Sequence, residues 1–233
     1  MNRNKEGRFP FTLVDLTHPL SRDTPSWDDS CGFKHTTSLD YADCTTEVKF
    51  RVQTIHMPAG IGTHMDAPAH CDPMGKTIDM IPLQDCVAPC VVIDISGRAD
   101  ETYLCSAQDI LDFEKQYQPV QPGDFVIIQT GWSRHWSRPS QYRNNLQFPA
   151  VSKDAARLLI ERNIVGLGID TLGPDTAESG YPVHQIILGH GKYLIENIAN
   201  ANLLPSTGST ILAAPMRILD GTEAPIRLIG LIP

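Results

Sequence analysis

One short segment carries several side chains that could bind a metal ion. It reads GIGTHMDAPAH over residues 60–70 and contains His64, Asp66 and His70. Its glycines and Pro68 disfavour a helix, so we expect extended or turning backbone. Alternate residues of an extended chain point to the same side, which would place the His64 imidazole beside the Asp66 carboxylate. Imidazole with carboxylate suits a borderline divalent ion such as Zn²⁺, Mn²⁺ or Fe²⁺.

His70 follows Asp66 by four residues, beyond the proline, where it could act as a ligand or as a general base. A structural explanation stays open, in which these side chains only hydrogen-bond to hold the turn. A second segment, HQIILGHG at residues 184–191, is followed by Glu196. One segment cannot fill a coordination sphere, so a distant His and Glu are needed. Taken alone, His184, His190 and Glu196 could equally be structural or solvated residues.

Other catalytic patterns are weak in this sequence. GWSRH at residues 131–135 lacks the second glycine of a hydrolase nucleophile elbow. The pairs Gly166/Gly168 and Gly189/Gly191 are too short for a dinucleotide fingerprint or a phosphate loop. The six cysteines include no C-x-x-C pair, so we expect free and mostly buried thiols.

Composition narrows the class of protein. The 233 residues include 19 Lys+Arg and 27 Asp+Glu, a net charge of −8, which argues against binding along a nucleic-acid backbone. No run of 18 apolar residues predicts a membrane-spanning helix. The first residues lack an apolar secretory stretch, so we expect a cytoplasmic protein. No linker or repeat interrupts the chain, and we expect a single domain over residues 1–233.

The pattern of apolar residues predicts a mixed α/β fold, because strand-like segments outnumber helical ones. The predicted strands are 11–16, 46–57, 90–95, 124–129, 164–170 and 226–231, and the predicted helices are 106–114, 152–163 and 183–188. In this scheme the GIGTHMDAPAH segment directly follows a strand.

Several segments together resemble the metal-dependent putative cyclase family, which includes bacterial kynurenine formamidases and isatin hydrolases. The resemblance rests on GTHMDAPAH at residues 62–70 and on DLTHPL at 15–20 with Trp27 beyond it. GDF at 123–125, TGW at 130–132, GIDT at 168–171 and the pair His184 and Glu196 extend it. Pro215 and Arg227 carry it almost to the end of the chain.

The resemblance implies an α/β fold of the swivelling β/β/α type, with a central mixed β-sheet, assembled as a homodimer or homotetramer. It implies a metal-dependent hydrolase with Zn or Mn as cofactor and a small molecule as substrate, without nucleic acid or membrane. The implied metal ligands are His64, Asp66 (shared between ions), His184 and Glu196; the implied acid/base is His70, and the implied substrate-binding aromatic is Trp27.

The sequence departs from the family at Gly60. Formamidases with two zinc ions carry a histidine at this position, four residues before the histidine of GTH. Glycine has no side chain to bind metal, so we expect one ion per chain and leave a second open. His56 and His190 are the candidates that could compensate.

The expected reaction is hydrolysis of a small amide or formamide, a lactam or a lactone. N-formylkynurenine is the first candidate substrate, as for an arylformamidase of tryptophan catabolism, and Gly60 leaves another cyclic amide or lactone equally open. The alternative is a catalytically decayed, metabolite-binding or oligomerising scaffold of the same fold. Metal content would separate the two.

Overall fold

The computed structural model describes residues 10–28 and 30–233, and its centre is an eight-stranded mixed sheet. Residues 1–9, on which the expectation about a secretory stretch rests, lie outside the described part. The strands are β1 (Thr12–Asp15), β2 (Lys34–Leu39), β3 (Val52–His56), β4 (His64–Asp66), β5 (Val87–Asp94), β6 (Leu104–Cys105), β7 (Phe125–Gln129), β8 (Ala150–Val151), β9 (Gly166–Ile169), β10 (Tyr193–Glu196), β11 (Ser209–Pro215) and β12 (Glu223–Ile232). The helices are α1 (Ala107–Gln116), α2 (Pro139–Arg143), α3 (Lys153–Glu161) and α4 (Pro182–Gly189).

The large sheet closes on itself through its longest strand. Its order is β1-β12-β11-β5-β7-β9-β10-β4, and β12 also pairs with β4. The central strands β5, β7, β9 and β10 run parallel, whereas the other pairings are antiparallel. Besides β11, β12 pairs with two further strands, because its first residues pair with β4 and its last residues pair with β1. The result is a ring of strands like a barrel, with β4 at the closing seam.

Alternation along the strands divides the core into two layers. In β7, Phe125 and Ile127 join the cluster inside the ring, while Val126 and Ile128 join the cluster between the sheet and the helices. Both faces of this strand are therefore buried, as expected for parallel strands covered by helices. Leu159 of α3 belongs to the outer layer.

The helices begin where the sequence offers caps. The Ser106 side chain accepts a hydrogen bond from the backbone N–H of Asp109, and the Asp109 carboxylate accepts one in return from the N–H of Ser106. Ser152 caps α3 by accepting from the N–H of Ala155 at 3.1 Å. α4 begins with Pro182, which fits the first helical position because it has no N–H to leave unpaired.

The prediction of an α/β fold with a central mixed sheet is confirmed. Each predicted helix is present within a few residues of its expected ends, and each predicted strand overlaps an observed one, although β5 and β12 begin before the predicted strands 90–95 and 226–231. The predicted strand 46–57 is too long, because β3 begins only at Val52 after a bent segment. Among the described residues β3 pairs only with β2, and it is exposed throughout, so its alternation does not reflect one buried face.

The cysteine prediction agrees with the structure. All six thiols are free, and Cys31, Cys86, Cys90 and Cys105 are buried, whereas Cys71 is exposed. Among the helices of the described residues, none is both long and apolar enough to cross a membrane.

Candidate metal centre

Strands β4 and β10 at the ring seam and the start of helix α4 bring the predicted ligands together. β4 is extended, as the glycines before it and the proline after it suggest, and lies between β10 and β12. Its register sets His64 opposite Glu196 of β10 and Asp66 opposite Glu223 of β12. Residues directly opposite on neighbouring strands have side chains on the same face, so these groups share one face of the sheet. The short 3-10 turn Pro68–His70 follows, and α4 supplies His184 from its first turn.

The four predicted ligands form a continuous buried cluster. His64 Nε2 lies 3.3 Å from Asp66 Oδ1 and 3.4 Å from Glu196 Oε2. His184 Nε2 lies 3.3 Å from Glu196 Oε1 and 3.9 Å from Asp66 Oδ2. All four residues are buried, with Asp66 only 1% exposed. The structure thus brings together two imidazoles and two carboxylates from segments far apart in sequence.

Each imidazole is held so that its Nε2 atom faces the carboxylates. His64 Nδ1 lies 2.9 Å from the carbonyl oxygen of Gly62, which can only accept, so Nδ1–H is the donor. His184 Nδ1 lies 2.8 Å from Asp175 Oδ2. Hydrogen bonds of this kind fix the tautomer and the ring orientation of metal-binding histidines. Both Nε2 atoms are thereby left free to accept a cation.

Charge in the cluster favours a bound cation. Burial lowers the pKa of His64, but the carboxylates of Asp66 and Glu196 outweigh it and raise that pKa to about 10. Burial also lowers the pKa of His184, but the carboxylates of Asp175 and Glu196 outweigh this effect and raise that pKa to about 11. Burial and the nearby Asp66 charge raise the pKa of Glu196. The centre therefore stabilises positive charge, which a divalent ion could supply in place of protons.

The residues present fit a divalent metal ion. Asp66 Oδ1 is buried and receives no hydrogen bond from any described residue, a costly state that a cation would relieve. Two groups offer ligand atoms within 4.8 Å of one another: His64, Asp66 and Glu223, and Asp66, His70 and His184. Nitrogen and carboxylate oxygen together suit Zn or Mn.

A cavity of about 560 Å³ opens over this cluster. Trp27 and His70, the other two predicted site residues, both line it. Trp27 packs at 6.0 Å from the Phe148 ring and 6.1 Å from the Tyr181 ring, measured between centroids. His56 and His190 do not line the cavity; both are exposed, so neither takes the place of the missing side chain at Gly60.

Three further residues that support the cluster or line its cavity, Asp175, Asn197 and Glu223, are not among the residues predicted from the sequence. Asp175, 1% exposed, accepts from the N–H groups of Val183 and His184 and so joins the start of α4 to the cluster. Asn197 follows Glu196 and donates to the Gly62 carbonyl at 2.9 Å. Glu223 opens β12 and lines the cavity. No spacing to another candidate ligand predicts these residues from the sequence. The one available signal is for Glu223, an acidic side chain at the start of an apolar strand.

Other residues of the family resemblance hold the scaffold. Asp170 directly follows β9 and accepts hydrogen bonds from the N–H and hydroxyl of Thr130, at 2.7 and 2.6 Å. Burial raises the pKa of this carboxyl. Arg227 forms a two-point ion pair with Asp15, which ties β12 to β1. These side chains position elements and do not reach the cavity lining.

Comparison with known proteins identifies the family. The family model described as putative cyclase matches residues 14–176. The chain belongs to the putative cyclase family. It is 30% identical over 187 residues to an isatin hydrolase from Roseibium aggregatum, covering 74% of this chain and 71% of that protein. It is 27% identical over 224 residues to a kynurenine formamidase from Paracidovorax citrulli, covering 94% and 96%.

Solved structures of this family share the fold. An isatin hydrolase A from Labrenzia aggregata bound to benzyl benzoate superposes with a TM-score of 0.85 at 31% identity, covering 95% of this chain and 94% of that one. A protein described as a potential metal-dependent hydrolase with cyclase activity gives 0.75 at 28% identity, covering 96% and 98%. The resemblance and the enzyme class predicted from the sequence, a metal-dependent hydrolase, are confirmed at the level of this family.

Proposed function

We propose that this chain hydrolyses the C–N bond of a small amide or formamide, or opens a lactam or lactone, at a divalent metal centre. The observation that carries the proposal is the buried cluster of imidazoles and carboxylates beneath a cavity of about 560 Å³. Such a volume matches a small-molecule site. A decayed scaffold is not favoured, because the cluster keeps buried ligand groups that only a cation would satisfy.

His64, Asp66, His184 and Glu196 would hold the metal, Zn or Mn. A bound divalent ion supplies a Lewis acid that polarises a carbonyl and lowers the pKa of water. Asp66 lies between the two histidines, 3.3 Å from His64 and 3.9 Å from His184, so its two oxygens can serve both sides of the centre. Burial of all four residues keeps bulk water from competing for these atoms.

In this proposal His70 moves the proton. Its side chain is 33% exposed and lines the cavity, and its ring centroid lies 6.1 Å from that of His184. In the proposed reaction a water oxygen bonds to the carbonyl carbon while His70 accepts the proton. The C–N bond then breaks as His70 returns that proton to the leaving nitrogen. An imidazole can do both near neutral pH.

Trp27 and its neighbours favour a substrate with a planar part. Its indole forms the cavity wall beside Leu172 and Tyr181, an apolar surface on which a flat ring can stack. N-formylkynurenine remains the first candidate because kynurenine formamidases are among the relatives. Isatin, a cyclic amide, is supported in the same way by the isatin hydrolases.

Elemental mass spectrometry on protein purified without chelator, together with hydrolysis assays on N-formylkynurenine and isatin, tests the proposal. We expect at least one ion per chain and turnover of an amide substrate that added metal restores after chelation. In Asp66→Ala, both metal and turnover should be lost, because the central carboxylate is gone. Protein that stays empty when Zn²⁺ or Mn²⁺ is offered would instead support the decayed scaffold.

A further inference from the structure

Glu223 is a third carboxylate at the metal cluster, and it comes from a strand distant in sequence. It is the first residue of β12 and pairs in register with Asp66 of β4. Its side chain is 25% exposed and lines the cavity. One oxygen, Oε2, lies 3.6 Å from His70 Nδ1. The other, Oε1, lies next to Gly60.

The absence of a side chain at Gly60 is what gives Glu223 its room. A Cβ atom at position 60 would overlap Glu223 Oε1 and would lie 3.4 Å from His64 Nε2. The φ angle of Gly60 is not positive, so the backbone here does not itself require glycine. Any side chain at position 60 would therefore compete with the Glu223 carboxylate for the same space beside His64.

His64, Asp66 and Glu223 together offer a ligand set. One nitrogen or oxygen from each lies within 4.8 Å of the others. The Gly62 carbonyl directs His64 Nε2 into this group, and the Asp66 oxygen nearest His64 Nε2, Oδ1, is the buried atom that receives no hydrogen bond. An unsatisfied buried carboxylate oxygen beside a free imidazole nitrogen is an arrangement that a cation completes.

We propose that Glu223 is a metal ligand and that it substitutes for the side chain missing at Gly60. With His64 and Asp66 it holds one ion, while His184 and Glu196 hold a second, with Asp66 shared. The inference rests on the proposed function and deepens it. One imidazole and two carboxylates form a harder ligand set than two imidazoles and one carboxylate, so the first position is shifted toward Mn²⁺ relative to Zn²⁺.

Metal stoichiometry and affinity in full-length protein test this proposal. Wild type is loaded with Mn²⁺ or Zn²⁺, desalted and analysed by elemental mass spectrometry, and each affinity is measured by competition with a chelator. We expect two ions per chain in wild type and one in Glu223→Ala. Glu223→Gln keeps the shape and tests the charge; affinity at this position should fall more than about 100-fold, beyond the loss from an outer-shell change.

Two further variants separate ligand loss from disturbance of the strand. Glu101→Ala removes an exposed acidic side chain outside the cavity lining and should keep two ions. Gly60→His combined with Glu223→Ala exchanges the carboxylate for an imidazole in the vacated space. It should regain the second ion with a higher Zn²⁺ to Mn²⁺ affinity ratio than wild type. Thermal unfolding with and without metal shows whether each variant folds.

The outcomes distinguish this proposal from the proposed function. If Glu223→Ala and Glu223→Gln bind as many ions as wild type with unchanged affinity, Glu223 is not a ligand. A fall in turnover alone would then mean that Glu223 only positions His70, and hydrolysis at the centre would still stand. One ion in wild type that is lost in Glu223→Ala supports the assignment. Wild type that binds no ion overturns both proposals.

Discussion

His70 differs from the proposed ligand residues in being reachable from the cavity. Its side chain is 33% exposed, whereas His64 and His184 are buried with their Nδ1 atoms engaged. A group that exchanges protons with a substrate needs this access, while a ligand benefits from being shielded. The two kinds of histidine are thus separated by burial and by their hydrogen bonds.

We expect His70→Ala to lose turnover while keeping the metal. Proton transfer of this kind contributes about 10² to 10⁴ in rate, so kcat should fall within that range. The measurement is kcat on the best amide substrate, with metal content determined on the same preparation. Full activity in metal-replete His70→Ala protein would rule out the acid/base role.

The sequence predicts the part of the centre that is local in the chain. His64, Asp66 and His70 lie within one segment, and their spacing alone indicates a metal or proton-transfer site. Glu223 and Asp175 escape such reasoning because their partners are brought to them by strand register and by the start of a helix. The pairing of Gly60 with Glu223 shows the same limit, since the space at one position is filled from another strand.

At the scale of elements, helix α4 positions His184 at the cluster, because this residue lies in its first turn. Asp175 accepts from the N–H groups of Val183 and His184, at 3.2 and 2.9 Å, and from the His184 ring. A carboxylate at a helix N-terminus is favoured by the helix dipole and satisfies N–H groups that have no partner within the helix. One buried side chain therefore fixes both the helix start and the imidazole.

Asp175→Asn should weaken metal binding without removing a ligand. The amide keeps the size of the side chain but loses the charge that orients His184, and changes to such supporting residues cost about 10- to 100-fold in metal affinity. Chelator competition measures the affinity. Asp154→Asn, an exposed carboxylate in the first turn of α3, is the matched control and should behave as wild type. Equal affinities in the two variants would contradict the orienting role.

The sequence predicts long periodic elements better than short ones. β7 is predicted because it is a continuous apolar run, and α3 is predicted because its apolar residues fall on one face along the whole helix. The predicted strands do not include β2, β6, β8, β10 or β11: β2 is mostly polar and exposed, β6 and β8 span two residues each, and β10 spans four. Such strands are determined by pairing with neighbours rather than by their own composition.

At the scale of the whole molecule, the hairpin β2–β3 projects from the main sheet as a separate two-stranded unit. It and its connecting turn expose large apolar side chains, namely Tyr41, Val48, Phe50, Val52 and Ile55, each 49% exposed or more. An isolated two-stranded hairpin is only marginally stable in water, and contiguous exposed apolar residues mark contact surfaces. We propose that a second copy of this chain covers the hairpin in a homo-oligomer.

Phe50→Glu should shift this homo-oligomer toward monomer. A buried, unpaired charge at the contact is costly, so the dissociation constant should rise by at least about tenfold. Size-exclusion chromatography with light scattering, at several concentrations, measures the change. Leu83→Glu alters another exposed apolar residue, 75% exposed, outside the hairpin and serves as the control. A wild-type protein that is monomeric throughout would contradict the proposed contact.

The ring of strands is closed at β4, so the proposed ligand residues lie where the sheet is joined to itself. The seam joins His64 and Asp66 to Glu196 on one side and to Glu223 on the other, across backbone pairings of only three residues each. Short pairings of this kind open locally more easily than the six-residue pairing of β11 with β12. An ion bound by residues on both sides would cross-link the three strands, so that each local opening must also break bonds between the ion and its ligands. Metal binding would then stabilise the closed ring of strands against local opening, in addition to supplying the chemistry.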